Sequence, residues 1–528
     1  MKKTFCILLS VLMAFTSFVF CAHAEDAEMK VFVTSDTHWH DFGSVNSDGF
    51  YRPRADMGQL TALSPLFVDR FLKDAAASDA DYVFISGDLT DYGSDDAPEF
   101  AEILADFEDS TGKQVFVVPG NHDIHMSSDP DDHLRFRRIY SRFGWDEALA
   151  VDEATSSYVA DLKNGYRLLG INSNKDNGGG VITDGLFAWI EAQAKQAQAD
   201  GVKLIAMMHH HLMEHMLMEQ RLDDFYILDN YKEVCKKFAE WNIRVTFTGH
   251  LHWGDIAEYQ GKNKIYDVTT FSLPEYPLRY REVSFTGNEI RLESHTIDSL
   301  DVTNIVSGYS EEQKEMIAND PVKYARGAEN DSLANDYIGK FVDPDYLIDM
   351  LGFAPDSVGA KAIRRIMPDV LIPLYGDGET VEAMAKALGY ELPQSDYETV
   401  GELLTSFWAA MARGDEDLGG NSPEGKLVLD AAYALFATKA AQESPAVRAL
   451  LNSRVIAVLG LKGIDNIFTR KAFDLILVGL TVDRAPADND VTLPGYEADT
   501  SGVLFRLTAF FEKIAAFFRL LFAFGAAK

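Results

Sequence analysis

Five short polar clusters, each directly after an apolar, β-rich run, constrain the fold of this chain more than any other sequence feature. Strand-like and helix-like stretches alternate from Met29 to about Asp298, which predicts a layered α/β architecture. Ligands gather at the carboxyl ends of strands in such sheets, so the clusters are expected to meet at one site. They are Asp36-Thr37-His38, Gly87-Asp88-Leu89-Thr90-Asp91, Gly120-Asn121-His122-Asp123, His209-His210-His211 and Gly249-His250-Leu251-His252.

The β-rich runs define the predicted strands, and stretches of helical period define the predicted helices. A β-meander with a Gly287-Asn288 turn is expected at the end of this region, built from Ile265 to Thr270, Glu282 to Phe285 and Glu289 to Thr296. The other predicted strands are Lys30 to Thr34, Tyr82 to Ile85, Gln114 to Val118, Tyr166 to Ile171, Lys203 to Met207 and Val245 to Thr248. Predicted helices include Leu60 to Ala77, Pro98 to Ser110 and Leu186 to Ala199.

The side chains in the five clusters are suited to binding metal ions. Asp, Asn and His supply the oxygen and imidazole donors that Zn, Mn and Fe accept, and the donor set does not distinguish these metals. Alternate residues of an extended backbone point the same way, as Asp-x-His and His-x-His require. Glycines at 87, 120 and 249 are expected to permit sharp turns. The predicted ligands are Asp36, His38 and His252 for one ion, Asn121, His209 and His250 for a second, and Asp88 bridging both.

In this order, the clusters resemble the motifs of the calcineurin-like metallophosphoesterase family, over Met29 to about Asp298. The resemblance implies an α/β fold, a four-layer sandwich of two mixed β-sheets flanked by helices, with a binuclear metal site built from the same ligands. His210 is the alternative to His209, because this chain has three consecutive histidines where the family usually has His-His-Pro. The resemblance also implies that His122 contacts phosphate and aids departure of the leaving group, oriented by Asp91. In purple acid phosphatases that last position is a metal-ligating Tyr, which argues against that branch.

The expected activity is phosphoester hydrolysis by in-line attack of a hydroxide bridging two divalent or trivalent ions, Mn, Fe or Zn. The layout is similar to that of exported bacterial cyclic-nucleotide phosphodiesterases, so a phosphodiesterase acting on small, including cyclic, nucleotides is the first expectation. An exported phosphomonoesterase and a cell-surface binding or scaffold protein with incidental hydrolysis are the alternatives. Arg52 and Arg54 are the candidate substrate-binding residues, with Trp39 or Tyr51 as a stacking face.

The remainder of the chain predicts an exported protein with a helical second domain. Residues 1–24 contain two Lys before an apolar run, the anatomy of a cleaved export signal, which predicts an extracellular, periplasmic or cell-surface location. After the catalytic domain, residues 29–298, we predict an all-α domain at 301–482, a linker at 483–503 and an amphipathic tail at 504–528. The Phe-rich stripe and basic residues of this tail suit peripheral contact with a membrane or packing on the helical domain.

The net charge limits the class of partner that is expected, and the cysteine content limits the disulfides that the chain can form. The net charge of −34 repels nucleic acid polymers, so a small phosphoester is the expected partner. Only Cys235 lies outside the predicted signal, so the mature chain has no internal disulfide. The sequence does not indicate an oligomeric state.

Overall fold

The computed structural model describes the part of the chain that surrounds the predicted site. The described residues are 28–41, 58–91, 96–124, 131–175, 178–216, 219–222, 224–303, 309–332, 344–345, 348, 354–357, 360–361, 364, 400–414 and 485–497. The predicted export signal at 1–24, the tail at 504–528 and both Arg52 and Arg54 lie outside them. Within these ranges, no helix combines the length and the apolar character needed to cross a bilayer.

Six strands form the first sheet, in the order β13-β12-β11-β1-β2-β3. β1, β2 and β3 are parallel to one another, whereas β11, β12 and β13 are each antiparallel to their neighbours, so the sheet is mixed. All four residues of β2 are buried, as expected for a strand covered on both faces. The strands are β1 Met29–Thr34, β2 Tyr82–Ile85, β3 Gln114–Val117, β11 Arg279–Phe285, β12 Glu289–Thr296 and β13 Val491–Pro494.

Seven strands form the second sheet, in the order β4-β5-β6-β7-β8-β10-β9. Its centre, β6-β7-β8-β10, is parallel, and antiparallel strands flank it on both sides. The strands are β4 Ala148–Val151, β5 Tyr158–Asp161, β6 Tyr166–Gly170, β7 Lys203–Met207, β8 Val245–Thr248, β9 Asp255–Gln260 and β10 Lys264–Thr269.

Six α-helices connect these strands in the part of the chain that the structure describes. Their starts and ends follow local rules: the Thr183 side chain caps the fourth helix by accepting from the backbone N–H of Leu186, and Gly201 ends it in the left-handed conformation with φ 71°. The helices are α1 Ser64–Ala77, α2 Ala97–Thr111, α3 Asp132–Ile139, α4 Asp184–Asp200, α5 Glu219–Leu222 and α6 Tyr231–Trp241.

The pleat of the strands determines which layer each side chain enters. Phe32 of β1 points outward, where its ring lies 6.1 Å from that of Phe71 in α1. Phe84 of β2 points inward, 6.1 Å from Phe247 of β8, so the two sheets pack face to face. On the outer side of the second sheet, Leu169 and Ala206 share a buried cluster with residues of α4 and α6. The layers are therefore helices, sheet, sheet and helices, which confirms the predicted sandwich.

The predicted β-meander is wrong in its first strand. The run from Ile265 to Thr270 forms β10, which pairs with β8 and β9 in the second sheet. Only β11 and β12 pair as the predicted hairpin, in the first sheet. The chain crosses between the sheets through residues 271–278. A buried apolar run fits either sheet equally well, so its pattern does not tell which partner it takes.

Three helices are described in the predicted all-α domain, and most of the rest of that domain lies outside the described residues. They are α7 Glu311–Asn319, α8 Pro321–Ser332 and α9 Val400–Arg413. A Ser310 capping box begins α7: its side chain accepts from the backbone of Gln313, whose side chain accepts in turn from the Ser310 backbone. These elements are helical, as the sequence predicts.

The predicted linker at 483–503 contains a strand that sequence analysis did not anticipate. Its described residues, 485–497, contact both sheets: β13 extends the first sheet, and the Ile256 backbone N–H of the second donates to Asp488 at 2.7 Å. Arg244 donates to the carbonyl of Gly495 at 2.6 Å. The pairing partner lies about two hundred residues earlier in the chain, so no local pattern marks this strand. This segment therefore returns to the catalytic sandwich and packs against it.

Candidate metal centre

The five polar clusters meet at one edge of the facing sheets, each on the loop that follows a parallel strand. β1, β2 and β3 supply three loops from the first sheet, and β7 and β8 supply two from the second. The Asp36 N–H donates to the Gly87 carbonyl at 3.0 Å, and the Gly249 N–H donates to the His209 carbonyl at 2.9 Å. The His250 N–H joins the two sheets by donating to Asp36 Oδ2 at 3.0 Å. The seven predicted ligands, hereafter the ligand cluster, thus occupy one place.

Asp36, His38 and His252 form the first half of the ligand cluster, and their donor atoms are close enough to hold one metal ion. His252 Nε2 lies 3.3 Å from Asp36 Oδ1 and 3.3 Å from His38 Nε2. On the other side of its ring, His252 Nδ1 lies 2.5 Å from Glu275 Oε2 and donates to it. That hydrogen bond leaves the Nε2 lone pair pointing at the other two ligands.

Asp88, His209 and His250 form the second half in the same way. His209 Nδ1 donates to the Ser86 carbonyl at 3.0 Å, so its Nε2 carries the lone pair. That Nε2 faces Asp88 Oδ2 at 3.2 Å and Asn121 Oδ1 at 3.0 Å. It also lies 4.0 Å from Asp36 Oδ1, in the first half. Three oxygens therefore surround this nitrogen, and a proton or a metal ion bound to it stabilises the arrangement.

Buried acceptors in the ligand cluster confirm that it suits a cation. Asp36 Oδ1 and Asp88 Oδ2 are buried and accept no hydrogen bond from the described part of the chain, which is costly unless a positive charge binds there. Burial opposes protonation of His209, yet Asp88 and Asp36 raise its pKa to about 9. A potential that attracts a proton this strongly also attracts a metal ion, which competes for the same lone pair. The residues present fit two metal ions.

His250 differs from His209 in charge. Its burial, together with the neighbouring His210 and His209, holds its pKa well below the usual range, so the ring is neutral. Its Nε2 donates to the Phe225 carbonyl at 3.2 Å, which leaves Nδ1 with the lone pair. A neutral imidazole with one free lone pair is the form that binds a metal ion.

The backbone of the ligand cluster is strained. Five of its seven residues have positive φ, a conformation uncommon for residues other than glycine, and each such residue costs on the order of 1 to 3 kcal/mol. Strain of this kind persists only where the surrounding structure imposes it, and it concentrates at functional sites. The strained ligands are Asp36 (φ 48°), His38 (38°), Asp88 (48°), His250 (71°) and His252 (69°).

Glycine is required in the polar clusters mainly because neighbouring loops approach its backbone closely. A Cβ on Gly249 would lie 1.8 Å from Ser35 Oγ, and one on Gly120 would lie 2.1 Å from Asp88 Oδ1. Both contacts are far inside van der Waals distance, so only glycine allows the loops to meet. Gly87 alone of the three has positive φ, at +102°, as the predicted sharp turns require.

His122 and Asp91 lie beside the ligand cluster in the relation that the resemblance implies. His122 Nδ1 lies 3.0 Å from Asp91 Oδ1, and the His122 backbone N–H donates to Asp88 Oδ1 at 2.7 Å. The His122 side chain is 18% exposed, whereas Asp91 is buried, so a substrate reaches the imidazole and not the carboxylate. His122 also lies near His38 and Asp88 as a third group able to hold a metal ion.

His210, the alternative ligand, points away from the ligand cluster into a second set of partners. Its Nδ1 lies 2.9 Å from Ser173 Oγ and its Nε2 lies 3.0 Å from the Gly178 carbonyl, so both ring nitrogens are engaged. The geometry therefore favours His209 as the ligand. The next histidine, His211, is also buried, with Nδ1 2.7 Å from Glu219 Oε1.

Trp39, proposed from sequence as a stacking face, lies in the core. It is 3% exposed and its ring stacks on Phe100 at 5.6 Å, so no substrate reaches it. The polar residues around it suggested a surface loop, but its bridge to Thr90 draws the backbone inward. Tyr51, like Arg52 and Arg54, lies outside the described residues.

Three residues at the site were missed from sequence. Asp123 is buried and accepts from the backbone N–H groups of Leu89, Thr90 and Gly120 at 3.1, 3.1 and 2.9 Å, which ties two of the loops together. Glu275 holds His252. Phe225 is 39% exposed, and its ring lies 4.8 Å from that of His250. Only Asp123 had a signal, as the last residue of the Gly-Asn-His-Asp cluster.

Two facing mixed sheets with a metal-ligating cluster at their carboxyl ends define a metal-dependent hydrolase of the α/β sandwich class. Residues 29–254, less than half of the chain, match the family model described as calcineurin-like phosphoesterase. The predicted resemblance is confirmed over these residues, which supply donors for a binuclear metal centre. No curated protein sequence matches the chain.

Solved structures with low sequence identity resemble the same half of the chain. A dimetal phosphatase from Danio rerio is 10% identical, with 51% of this chain and 96% of that chain covered and a TM-score of 0.35. The purple acid phosphatase PPD1 from yellow lupin is 14% identical, and the match covers 51% of this chain and 52% of that chain with a TM-score of 0.36. The phosphopantetheinyl hydrolase PptH from Mycobacterium tuberculosis is 12% identical, and the match covers 47% of this chain and 92% of that chain with a TM-score of 0.27.

Proposed function

We propose that this metallophosphoesterase is a phosphodiesterase that acts on small nucleotides, including cyclic ones. The observation that carries the proposal is the exposed ring of Phe225 beside the ligand cluster. A diester has an organic group on each side of phosphorus, so an apolar face next to the metal centre suits it. Stacking on an aromatic ring is how proteins hold a nucleobase without reading its sequence. The net charge of −34 disfavours a nucleic acid polymer as the substrate.

Phe225 is placed to contact a leaving group. Its carbonyl holds His250, so its position is tied to the ligand cluster. A Cβ on Gly178 would lie 3.1 Å from the Phe225 ring and 3.7 Å from Asn121 Cβ, so the ring and this ligand are separated only by a residue without a side chain. A planar group stacked on Phe225 therefore lies within reach of a phosphate held by the ligand cluster.

His122 supplies acid catalysis in this scheme. Because its Nδ1 is held by Asp91, its Nε2 is the atom available to the substrate. A protonated His122 donates from Nε2 to the departing alkoxide, and the Asp91 carboxylate stabilises the imidazolium. When bound, the two metal ions lower the pKa of water and neutralise charge on phosphate. Asp36 and Asp88 would hold those ions, and both carboxylates are buried, so the sheets behind them exclude bulk water from that side of the cluster.

The test is hydrolysis of bis(p-nitrophenyl) phosphate, p-nitrophenyl phosphate and cyclic AMP by the metal-reconstituted protein. We expect diesters to be preferred, Asp88→Ala to abolish turnover and His122→Ala to lower kcat by about 10² to 10⁴. Phe225→Ala should lower kcat/KM for the nucleotide by roughly tenfold. Leu149→Ala removes another exposed apolar side chain, 55% exposed on β4, and serves as its control.

Other outcomes of the same panel separate the alternatives. Preference for the monoester, with no effect of Phe225→Ala, would indicate an exported phosphomonoesterase. Absence of turnover with Mn, Fe and Zn alike, together with an unchanged cellular phenotype for Asp88→Ala, would indicate a binding or scaffold protein.

We further propose that residues 1–24 direct export and that residues 504–528 contact a membrane peripherally. The two Lys and apolar run of the first segment, and the Phe-rich stripe of the second, support this. N-terminal sequencing of the mature protein tests the first, since an intact Met1 would refute it. Membrane flotation of a variant lacking residues 504–528 tests the second, which fails if the variant partitions as the full chain does.

A further inference from the structure

Two helices of the C-terminal region pack against the loops that carry and orient His252. One loop is the Gly249 to Gly254 segment after β8, and the other is the crossing between the sheets, residues 271–278, hereafter the Glu275 loop. The two loops are themselves joined, because the Ser272 N–H donates to the His252 carbonyl at 3.1 Å. Any element that holds the Glu275 loop therefore also acts on His252.

Glu275 controls the ring of His252. Its Oε2 accepts from His252 Nδ1 at 2.5 Å, which fixes both the tautomer and the orientation of the ring. Gln59 Nε2 also lies close to that nitrogen, at 3.4 Å. A ligand held this way keeps its Nε2 aimed at Asp36 and His38, so Glu275 is a positioning residue.

The helix α8 contacts the Glu275 loop through Arg326, and it contacts the segment that carries Gln59 through Glu329. The Arg326 guanidinium lies over the ring of Tyr276, 5.2 Å from its centroid, next to Glu275 in the chain. It also donates to Glu329 at 2.9 Å and to the Thr405 carbonyl of α9 at 2.8 Å. Glu329 is buried, and a Cβ on Gly58 would lie 3.3 Å from its Cα, which places α8 against the segment that carries Gln59.

The end of α9 contacts both loops. Arg413 donates to the Tyr276 hydroxyl at 3.2 Å, and its own carbonyl accepts from Arg279 of β11 at 3.0 Å. Gly414, with φ +69°, packs directly on the His252 loop: a Cβ there would lie 2.5 Å from the Gly254 carbonyl oxygen. The contact with Gly254 is backbone to backbone, so it cannot adjust without moving the loop.

We propose that α8 and α9 are a structural part of the metal centre, holding the Glu275 loop so that His252 stays aimed at its metal ion. The C-terminal helices then act, through Glu275, on the affinity of the ion bound by Asp36, His38 and His252 more strongly than on that of the other ion. The inference rests on the ligand role of His252 and is independent of which phosphoester the protein hydrolyses.

The test is metal binding by the full-length protein, measured by calorimetric titration of the metal-free form with Zn²⁺ and by the absorption spectrum of the Co²⁺ form. Arg326→Ala/Arg413→Ala should weaken one of two bound ions by roughly 2- to 30-fold. Glu275→Ala should weaken that same ion by about 10- to 100-fold, and Glu275→Gln, which keeps an acceptor for His252, should restore part of the loss. The Co²⁺ spectrum of the site that contains His252 should change more than the spectrum of the other site.

Arg364→Ala is the matched control, since this arginine lies in the helical region and its described partners, Asp345 and Pro355, lie there too. Tyr276→Phe removes only the hydroxyl that Arg413 contacts and covers the case in which the double variant does not fold. The proposal is overturned if both ions bind the folded arginine or Tyr276→Phe variants as tightly as they bind Arg364→Ala protein. Tight binding of two ions by wild type without diester hydrolysis would refute the proposed function and leave this inference intact.

Discussion

Glu329 gives a stability prediction whose size follows from the structure. The side chain is 5% exposed on α8, and burial raises its pKa to about 7 from the 4.5 that is usual for a glutamate. Arg326 and Arg413 oppose that rise, and Glu275 adds to it. Burial therefore outweighs the ion pair, and the ionised carboxylate is less stable in the folded protein than in the unfolded chain.

The sign of the pH dependence follows from that difference. Below pH 4.5, Glu329 is protonated in both states and costs nothing. As pH rises from 4.5 to 7, the unfolded chain loses its proton first, so stability falls, and above pH 7 the full penalty remains. The pKa difference corresponds to about 3 kcal/mol at 1.36 kcal/mol per unit. Glu329→Gln stays neutral, so it should exceed wild type in stability by up to this amount at pH 8 and match it at pH 4.5.

Urea unfolding at pH 4.5, 6 and 8, followed by circular dichroism, measures the difference in the transition that unfolds α8. Glu312→Gln, at an exposed position of α7, controls for the loss of one negative charge. A difference between Glu329→Gln and wild type that is the same at all three pH values would refute the reasoning, because ionisation of Glu329 would then carry no cost.

Three further predictions concern the ligand cluster. Gly249→Ala places a methyl group against Ser35 and should lower stability by about 1 to 3 kcal/mol with loss of bound metal; unchanged thermal unfolding and metal content would contradict this. His209→Ala should lose one metal ion by elemental analysis, whereas His210→Ala should retain both, and the opposite pattern would reverse the assignment. Asp123→Ala leaves three buried backbone N–H groups unsatisfied and should cost about 1 to 3 kcal/mol in urea unfolding; no loss would mean that water replaces the carboxylate.

The sequence predicts the parts of the fold that local patterns determine. Short apolar runs bounded by polar clusters mark β1, β2, β3, β6, β7 and β8, each within one residue of its observed ends. Five of these six strands lead into the ligand cluster, so the predicted ligands are those that the structure brings together. Partners far apart in the chain leave no such pattern: β13 pairs with β12, and β10 joins the second sheet, because of tertiary contacts alone.

The residues that support the site were harder to predict for a related reason. Glu275 lies 23 residues after His252, in a loop with no recognised spacing, so its contact appears only once the chain crosses between the sheets. Phe225 resembles any core aromatic in sequence, and only the structure shows that it is 39% exposed and that its ring lies 4.8 Å from that of His250. Trp39 shows the reverse error, since a polar neighbourhood suggested exposure where the strand pairing imposes burial.

The two halves of the metal centre are supported differently, and this has a consequence for the two ions. His209 is held by the Ser86 carbonyl at the end of β2, and His250 by the Phe225 carbonyl, so backbone groups orient both. His252 depends instead on the side chain of Glu275, in a loop that α8 and α9 hold in place. A ligand held by a group at a strand end changes position only when the sheet moves. A ligand held by a loop also changes position when an element that packs on that loop moves. The ion shared by Asp36, His38 and His252 is therefore the one whose binding depends more on the C-terminal half of the chain.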